Sequence, residues 1–170
     1  MKEISSTQNS YIKELINLQI KSRERIRTGL FLVEGKRELL LALAGDFKID
    51  TVLFNSDILS EVEISSFIFD DEVSKIKITK EVYQKLAYRD STEGIIAVVN
   101  TKEPLLSNIQ FEHDKPLVLV AEAPEKPGNI GALLRTADAA NIDAVLIANP
   151  KTDLYNPNII RSSVGCLFTN

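Results

Sequence analysis

Two uninterrupted apolar runs constrain the fold of this chain more than any other feature of its sequence. Residues 117–121 have the sequence LVLVA, residues 144–148 have AVLIA, and a segment with helical periodicity separates the two runs. Apolar runs without alternating polar residues are typical of parallel strands that are buried on both faces of a sheet. We therefore predict a β-α-β unit with its helix over residues 129–140 and a right-handed crossover.

The remaining residues extend this unit but do not complete it. Asn156 and Pro157 predict the start of a helix that runs to about residue 164, and residues 166–168 predict the beginning of another strand. About 55 residues supply too few elements to cover a parallel sheet on both faces. The sequence therefore predicts that the second domain is incomplete within residues 116–170.

The first hundred residues predict a separate α/β layer domain. Strands are predicted at residues 31–33, 52–54, 67–69, 75–78 and 94–99, with helices over residues 36–43 and 79–86 between them. Residues 102–115 lose this regularity and contain a proline, so we expect domains at 1–101 and 116–170 and a linker at 102–115. An earlier amphipathic helix ending at Gly29 is predicted by six apolar side chains at helical spacing: Tyr11, Ile12, Leu15, Ile16, Leu18 and Ile20.

Composition narrows the class of protein. A single cysteine, Cys166, allows no internal disulfide and predicts a reducing compartment. Polar residues follow Met1 without an apolar stretch, and no apolar run approaches the ~20 residues that span a bilayer. We therefore expect a cytoplasmic protein without a membrane segment, and we predict no metal site.

Charge is unevenly distributed along the chain. The net charge is -4, yet residues 1–48 hold nine Lys/Arg against six Asp/Glu. A polyanion responds to the local potential within roughly 10 Å at physiological salt, so this balance of +3 favours a nucleic-acid surface, although ordinary surface variation would also produce it. The cations predicted to contact phosphate are Arg23, Arg25, Arg27, Lys36 and Arg37.

A glycine-containing turn between the first apolar run and its helix is the first candidate site. Gly128 and Gly131 allow either a tight turn with close helix–sheet packing or an anion held at free helix amides. Their spacing, G-x-x-G, does not match the dinucleotide-binding fingerprint, so an oxidoreductase is a weak alternative. Arg135 lies among apolar and small neighbours, where it serves either a ligand or a structural ion pair with Asp138 or Asp143.

The residues around this turn closely resemble the SpoU branch of the SPOUT methyltransferases. The first motif of that family has the form N-x-G-x-x-x-R-T-A after a P-G turn. Asn129, Gly131, Arg135, Thr136 and Ala137 fit it. The resemblance implies an RNA 2′-O-ribose methyltransferase, in which a catalytic domain with a parallel-sheet α/β knot follows an RNA-binding domain.

A second family motif, N-P-x-x-x-R-x-S-x-G, occurs at the expected distance. Asn156, Pro157, Arg161, Ser163 and Gly165 match it. Taken alone, the same residues would also describe a capped helix with a solvated arginine. The order of the two motifs and the strand between them agree with the family.

The first domain resembles the family less sharply. Residues 31–35 match its F-x-V-E-G entry to a helix, and residues 91–98 resemble its final strand, with Glu93 where relatives usually have glutamine. This domain resembles the fold of ribosomal proteins that grip kinked RNA. We therefore expect a ribosomal-protein-like α/β RNA-binding domain.

The resemblance also implies a cofactor, a partner and residue roles. The methyl donor would be S-adenosylmethionine, the substrate rRNA or tRNA, and the complete protein a homodimer. Arg135 would contact the ribose 2′-hydroxyl as an orienting group, since a guanidinium keeps its proton, while Asn129 positions the site. Arg161 would hold a phosphate or the partner subunit. The family's later E-G-x-G-L and S-L-N-V motifs, which hold the cofactor, do not occur in this sequence. The chain itself is therefore expected to be inactive, and an RNA-binding module without catalysis is the alternative.

Overall fold

A computed structural model describes residues 2–67, 69–70, 72–88, 93–103, 105–111 and 113–169. The chain divides into two compact units, Met1–Thr101 and Lys102–Asn170. Within the described ranges, no helix is both long enough and apolar enough to cross a membrane.

The first unit is built on a five-stranded mixed sheet with the order β1-β4-β3-β5-β2. Its strands are β1 (Lys2–Ile4), β2 (Leu30–Glu34), β3 (Ile49–Phe54), β4 (Ser74–Ile78) and β5 (Ile95–Asn100). β4 runs parallel to both β1 and β3, whereas β5 pairs antiparallel with β3 and β2. The predicted α/β layer structure is confirmed.

The described residues of this unit form five helices: α1 (Ser10–Ile20), α2 (Ser22–Thr28), α3 (Lys36–Ala44), α4 (Glu61–Ser66) and α5 (Lys80–Leu86). α1 and α2 are separate helices because the backbone leaves helical geometry at Lys21. Gly29 ends α2 in the left-handed conformation that glycine adopts without steric cost. Thr79 caps α5 as predicted, by accepting a hydrogen bond from the Val82 amide.

Helices and loops bury the sheet of the first unit on both faces. Ile96 and Val98 of β5 belong to a core cluster that also contains side chains of α1 and α5. Ile95, Ala97 and Val99 point to the opposite face and are equally buried. The central strands of this unit are therefore sealed from water on both faces.

The second unit contains a two-stranded parallel sheet and two helices. Its elements are β6 (Val118–Glu122), α6 (Pro127–Ala139), β7 (Ala144–Ala148) and α7 (Pro157–Ser163). Ile130 and Leu134 of α6 pack with Ile159 of α7 and with Cys166, and Val145 of β7 lies against this cluster. The predicted β-α-β unit is confirmed, and its helix begins two residues before the predicted position.

Three expectations about individual segments are corrected. The strand predicted at 117–121 is not buried on both faces: Leu117, just before β6, is 59% exposed and Val120 of β6 is 60% exposed, on a sheet to which the described residues contribute two strands. Residues Cys166–Phe168 form a 3-10 turn and not a strand. Of the strand predicted at 67–69, residue 68 lies outside the described residues; Phe67 and Phe69 lie outside the strands and stack their rings at 5.6 Å.

Candidate functional site

The first motif, residues 129–137, lies on α6, and a four-residue loop connects this helix to the carboxyl end of β6. Pro127 occupies the first turn of the helix, where a missing amide donor costs nothing. Asn129 and Arg135 are both exposed, whereas Ile130, Leu134 and Ala137 form the buried face. The helix therefore presents both predicted catalytic side chains to solvent.

The ion pair considered as the alternative role of Arg135 does not form. Asp143 instead accepts hydrogen bonds from the Leu117 amide at 2.7 Å and from His113 Nε2 at 2.9 Å. Asp138 accepts a hydrogen bond from the Thr169 hydroxyl at 2.6 Å. With both candidate carboxylates engaged elsewhere, Arg135 is left available for a ligand.

Gly131 has a different role from the one that its position in a turn suggested. A Cβ atom at this position would lie 2.7 Å from the Ser163 backbone nitrogen and closer still to the Ser162 hydroxyl. No glycine-specific backbone angle is needed here, since Gly131 is an ordinary helical residue. Glycine is required because the backbones of α6 and α7 approach each other at this point, which fixes the two motifs side by side.

The second motif is largely structural at its start. Asn156 caps α7, because its side chain accepts a hydrogen bond from the Asn158 amide at 2.9 Å. Arg161 is exposed in the last turn of the same helix, near the carbonyl end of the helix dipole. Ser163 is fully buried and donates a hydrogen bond to the Ile160 carbonyl. Of these three side chains, Arg161 is the exposed one.

The loops after the two parallel strands are joined to each other. The Asn149 side-chain amide donates to the Glu122 carboxylate at 2.8 Å, and the Ala123 amide donates to the Ala148 carbonyl at 2.8 Å. Ala123 and Asn149 both adopt the left-handed conformation, with φ values of 45° and 47°. Such backbone is uncommon for alanine and frequently marks functional loops. Open α/β sheets bind ligands at this edge.

Four of the five cations predicted to contact RNA are at the surface of the first unit. Arg23 and Arg27 on α2 retain side-chain exposures of 78% and 71%, although both lie near Glu24. Arg37 is exposed on α3. Exposed ion pairs contribute only about 0–1 kcal/mol, so the Glu24 contacts are easily exchanged for a phosphate.

The prediction that Arg25 lies on the RNA-binding surface is wrong. Only 3% of it is exposed, and its guanidinium donates to the carbonyls of Leu18 and Gln19 at the end of α1. These carbonyls lack partners within α1, so a buried cation satisfies them and joins α2 to α1. Arg25 is therefore excluded from the phosphate-contacting set, since its donors face the protein interior.

Lys36 is engaged by two glutamates at the start of α3. Its ammonium group lies 3.2 Å from the Glu63 carboxylate, and its backbone amide donates to the Glu93 carboxylate. Glu93, which stands where relatives usually have glutamine, thus places a negative charge at the positive end of α3. Lys36 is the least available of the exposed predicted cations.

The segment before β6 is fixed by hydrogen bonds that were not predicted from the sequence. The Tyr155 hydroxyl both donates to the Lys102 carbonyl and accepts from the Lys102 amide, each at 2.9 Å. Burial raises the pKa of this phenol, which keeps it protonated as a donor. His113 is held by Asp143 further along. No periodic pattern signals such contacts, because single polar residues make them across long sequence separations.

Buried polar side chains near the turn at Gly35 were also not predicted from the sequence. Glu38 and Tyr83 are buried, and a Cβ atom at Gly35 would lie 2.6 Å from the Glu38 carboxylate. Burial, followed by the nearby charge of Glu34, raises the pKa of Tyr83 to about 12. This turn therefore requires glycine, both for its φ of 105° and for the space that the carboxylate fills.

Comparison with known proteins agrees with this arrangement. Residues 9–97 match the model of the MRM3-like substrate binding domain, and residues 116–170 match that of the SpoU rRNA Methylase family. The chain is 29% identical over 168 residues to the Bacillus subtilis protein named 23S rRNA (guanosine(2553)-2′-O)-methyltransferase RlmP, covering 99% of this chain and 63% of that protein.

Solved structures give the same assignment. An RNA 2′-O ribose methyltransferase superposes with a TM-score of 0.79 at 36% identity, over 98% of this chain and 63% of the other. The SpoU methyltransferase AviRb from Streptomyces viridochromogenes, in complex with AdoMet, superposes with a TM-score of 0.83 at 26% identity, over 95% and 61% of the two chains. The chain thus spans less than two thirds of the relatives that it matches.

An α/β substrate-binding unit followed by a β-α-β unit with paired asparagine–arginine motifs defines a class of RNA-modifying proteins. Within that class, this chain belongs to the SpoU rRNA methylase family.

Proposed function

We propose that this protein serves the 2′-O-ribose methylation of ribosomal RNA, and that the present chain contributes RNA capture and the side chains that orient the ribose. The observation that carries the proposal is the contact between α6 and α7 at Gly131 and Ser162, which sets Asn129, Arg135 and Arg161 on two packed helices. The relatives named for 2′-O-methylation of 23S rRNA support the same substrate class.

Arg135 is suited to orient a ribose hydroxyl. Its planar guanidinium offers five donors in a fixed geometry and stays protonated at any physiological pH. It therefore acts by alignment and by stabilising the developing negative charge on the 2′-oxygen, and it does not accept the hydroxyl proton. In this proposal Asn129, at the start of the same helix, positions the nucleotide, and Arg161 contacts a phosphate or a second subunit.

S-adenosylmethionine is the methyl donor that the family implies, and AdoMet is present in the AviRb structure. A cofactor of this size requires a concave pocket with fixed polar groups. In the described part of the second unit, Ser162 fills the space beside Gly131, and Glu122 already accepts a hydrogen bond from Asn149. These two positions are therefore already occupied by the protein's own side chains, and the family's E-G-x-G-L and S-L-N-V motifs do not occur in the sequence to hold the cofactor elsewhere.

This mismatch favours a second candidate for the chain by itself: RNA binding without catalysis. The exposed apolar side chains of Val120 on β6 and of Leu117 just before it favour this candidate, because parallel sheets in α/β enzymes are normally covered on both faces. We propose that the 170-residue chain binds RNA and transfers no methyl group, and that homodimerisation belongs to a protein as long as its relatives. A cytoplasmic location is part of the same proposal.

Labelled S-adenosylmethionine and rRNA transcripts test these proposals together. We expect RNA binding but no methyl transfer by the chain, and transfer by a version extended to the length of its relatives. In that version Arg135→Lys should lower turnover by about 10²–10³ with little change in cofactor affinity, because lysine retains the charge but loses the planar donor geometry. Micromolar affinity of the 170-residue chain for the cofactor would contradict the proposal that this chain binds RNA without catalysis. Unchanged turnover of the lysine variant would remove Arg135 from the mechanism.

A further inference from the structure

The exposed face of α2 combines an aliphatic side chain with cations. Arg23, Ile26 and Arg27 are spaced i, i+3 and i+4, so they share one face of this helix. Ile26 is 74% exposed, while Arg25 on the other side of the helix is buried. Ile20, the last residue of α1, is 69% exposed.

This corner between the two helices is held in place. Lys21 separates α1 from α2 and contributes a further exposed cation. The Arg25 guanidinium bonds to two carbonyls at the end of α1, which fixes α2 against that end. The two isoleucines are therefore presented by ordered helices that a buried hydrogen-bonded contact joins.

Charge complementarity indicates what covers these side chains. Lys21, Arg23 and Arg27 surround Ile26 in sequence, with Glu24 as the single acidic neighbour within residues 20–28. Another exposed aliphatic side chain of this unit, Val62, is 81% exposed and lies between Glu61 and Glu63. Those two glutamates are balanced by Lys77 and Lys36, whereas three exposed cations around Ile26 outnumber one carboxylate, so Ile26 is the better site for a polyanion.

We infer that the α1–α2 corner, defined as Ile20, Lys21, Arg23, Ile26 and Arg27, binds unpaired RNA. The cations contact phosphates, and the two isoleucines pack against an unstacked base. In duplex RNA the base faces are stacked and the major groove is too narrow for side chains, so aliphatic contacts favour loops or single strands. This inference rests on the proposed function, and it adds a preference for unpaired nucleotides and the residues that produce it.

Fluorescence anisotropy with two RNA probes of equal phosphate number tests the inference. One probe is a hairpin with an unpaired loop, and the other is a fully paired duplex. Ile20→Ser combined with Ile26→Ser removes the apolar groups at little cost in helix propensity, since isoleucine and serine rank together. Val62→Ser is the matched control, and circular dichroism verifies folding of each variant.

We expect the double isoleucine variant to bind the hairpin about tenfold more weakly, with an unchanged salt slope and unchanged duplex affinity. Arg23→Gln combined with Arg27→Gln should flatten the salt slope for both probes. Equal losses on hairpin and duplex, or no loss on either while the arginine variant weakens both, would overturn the inference and leave the proposed function standing. Binding of neither probe by the wild-type chain would overturn the proposed function as well.

Discussion

The two units of this chain build their sheets from similar apolar strands but reach different degrees of burial. Val52 in β3 is completely buried, whereas Val120 in β6 is 60% exposed. β3 lies between β4 and β5 in a five-stranded sheet, while β6 has β7 as its single neighbour. Strand composition alone therefore does not determine burial; the number of neighbouring elements does.

The two units therefore differ in how completely their sheets are buried and in which candidate sites they hold. The first unit has a buried core and presents its cations on ordered helices, so we propose that it binds RNA without residues of the second unit. The second unit holds both motifs in register through the contact of α6 with α7, yet leaves apolar sheet surface open to solvent. Large exposed apolar surfaces usually mark interaction sites.

The largest effect is expected at the α6–α7 contact. Gly131→Ala should destabilise the second unit by about 3 kcal/mol, because the added methyl group meets the Ser163 backbone, which cannot move as a side chain can. Gly128→Ala is the control on the same helix, since a Cβ atom there has no neighbour within 4 Å. Thermal unfolding of both variants, followed by differential scanning calorimetry, would measure the two losses. Equal stability of the two variants would show that the helices do not pack as described.

Valine truncation in the two sheets tests the comparison itself. Val52→Ala should cost about 2 kcal/mol, from lost apolar burial and the cavity left behind. Val120→Ala should cost well under half of that value, because solvent already contacts the side chain. Chemical denaturation of each variant gives the two free energies of unfolding. Similar losses would mean that β6 is covered as completely as β3.

Substitution of Arg25 should affect stability, whereas substitution of Arg23 should affect RNA binding. Arg25→Met should lower the stability of the first unit by about 1.5 kcal/mol, because the carbonyls of Leu18 and Gln19 lose charged donors. Arg23→Met should leave stability nearly unchanged and weaken RNA binding. Denaturation and anisotropy on both variants check the assignment. A stable Arg25→Met variant with weakened RNA binding would return Arg25 to the RNA surface.

The smallest effect on stability is expected from protonation of Asp143 at low pH. The pKa of this carboxylate is lowered, chiefly because it accepts a hydrogen bond from the Leu117 amide and also because His113 lies beside it. A carboxylate with a depressed pKa stabilises the fold above its unfolded value, and that contribution is lost as the pH falls through the folded value. The difference in Tm between wild type and Asp143→Asn should therefore shrink below about pH 4. A difference that stays constant between pH 7 and pH 3 would exclude this linkage.

Periodic patterns predicted most of the fold, and isolated contacts produced the rest. Helical spacing and the apolar runs located α1, β6 and β7, and a capping threonine located the start of α5. α4 was missed because its signal, the Ser60–Glu63 capping box, precedes only six helical residues. The break at Lys21 was missed because the buried bonds of Arg25 that stabilise it span only six or seven residues and have no periodicity.

The sequence predicted where the candidate residues lie on the fold better than it predicted the contacts that hold them there. The motif spacing placed Asn129 and Arg135 on one helix after a strand, as the structure shows. The reason for Gly131 was not predictable, because it depends on Ser162, which lies thirty-one residues later on another helix. The burial of Arg25 was not predictable either, because an arginine that lies among other cations in the sequence is normally exposed to solvent.

Hydrogen exchange measured with and without RNA would distinguish the two units. We expect β3 and β5 to exchange slowest and β6 and β7 to exchange at least tenfold faster, and we expect added RNA to protect the α1–α2 corner at residues 20–28. Protection by RNA confined to the second unit, or equal exchange of β3 and β6, would contradict the division of this chain into a sealed RNA-binding unit and an open one.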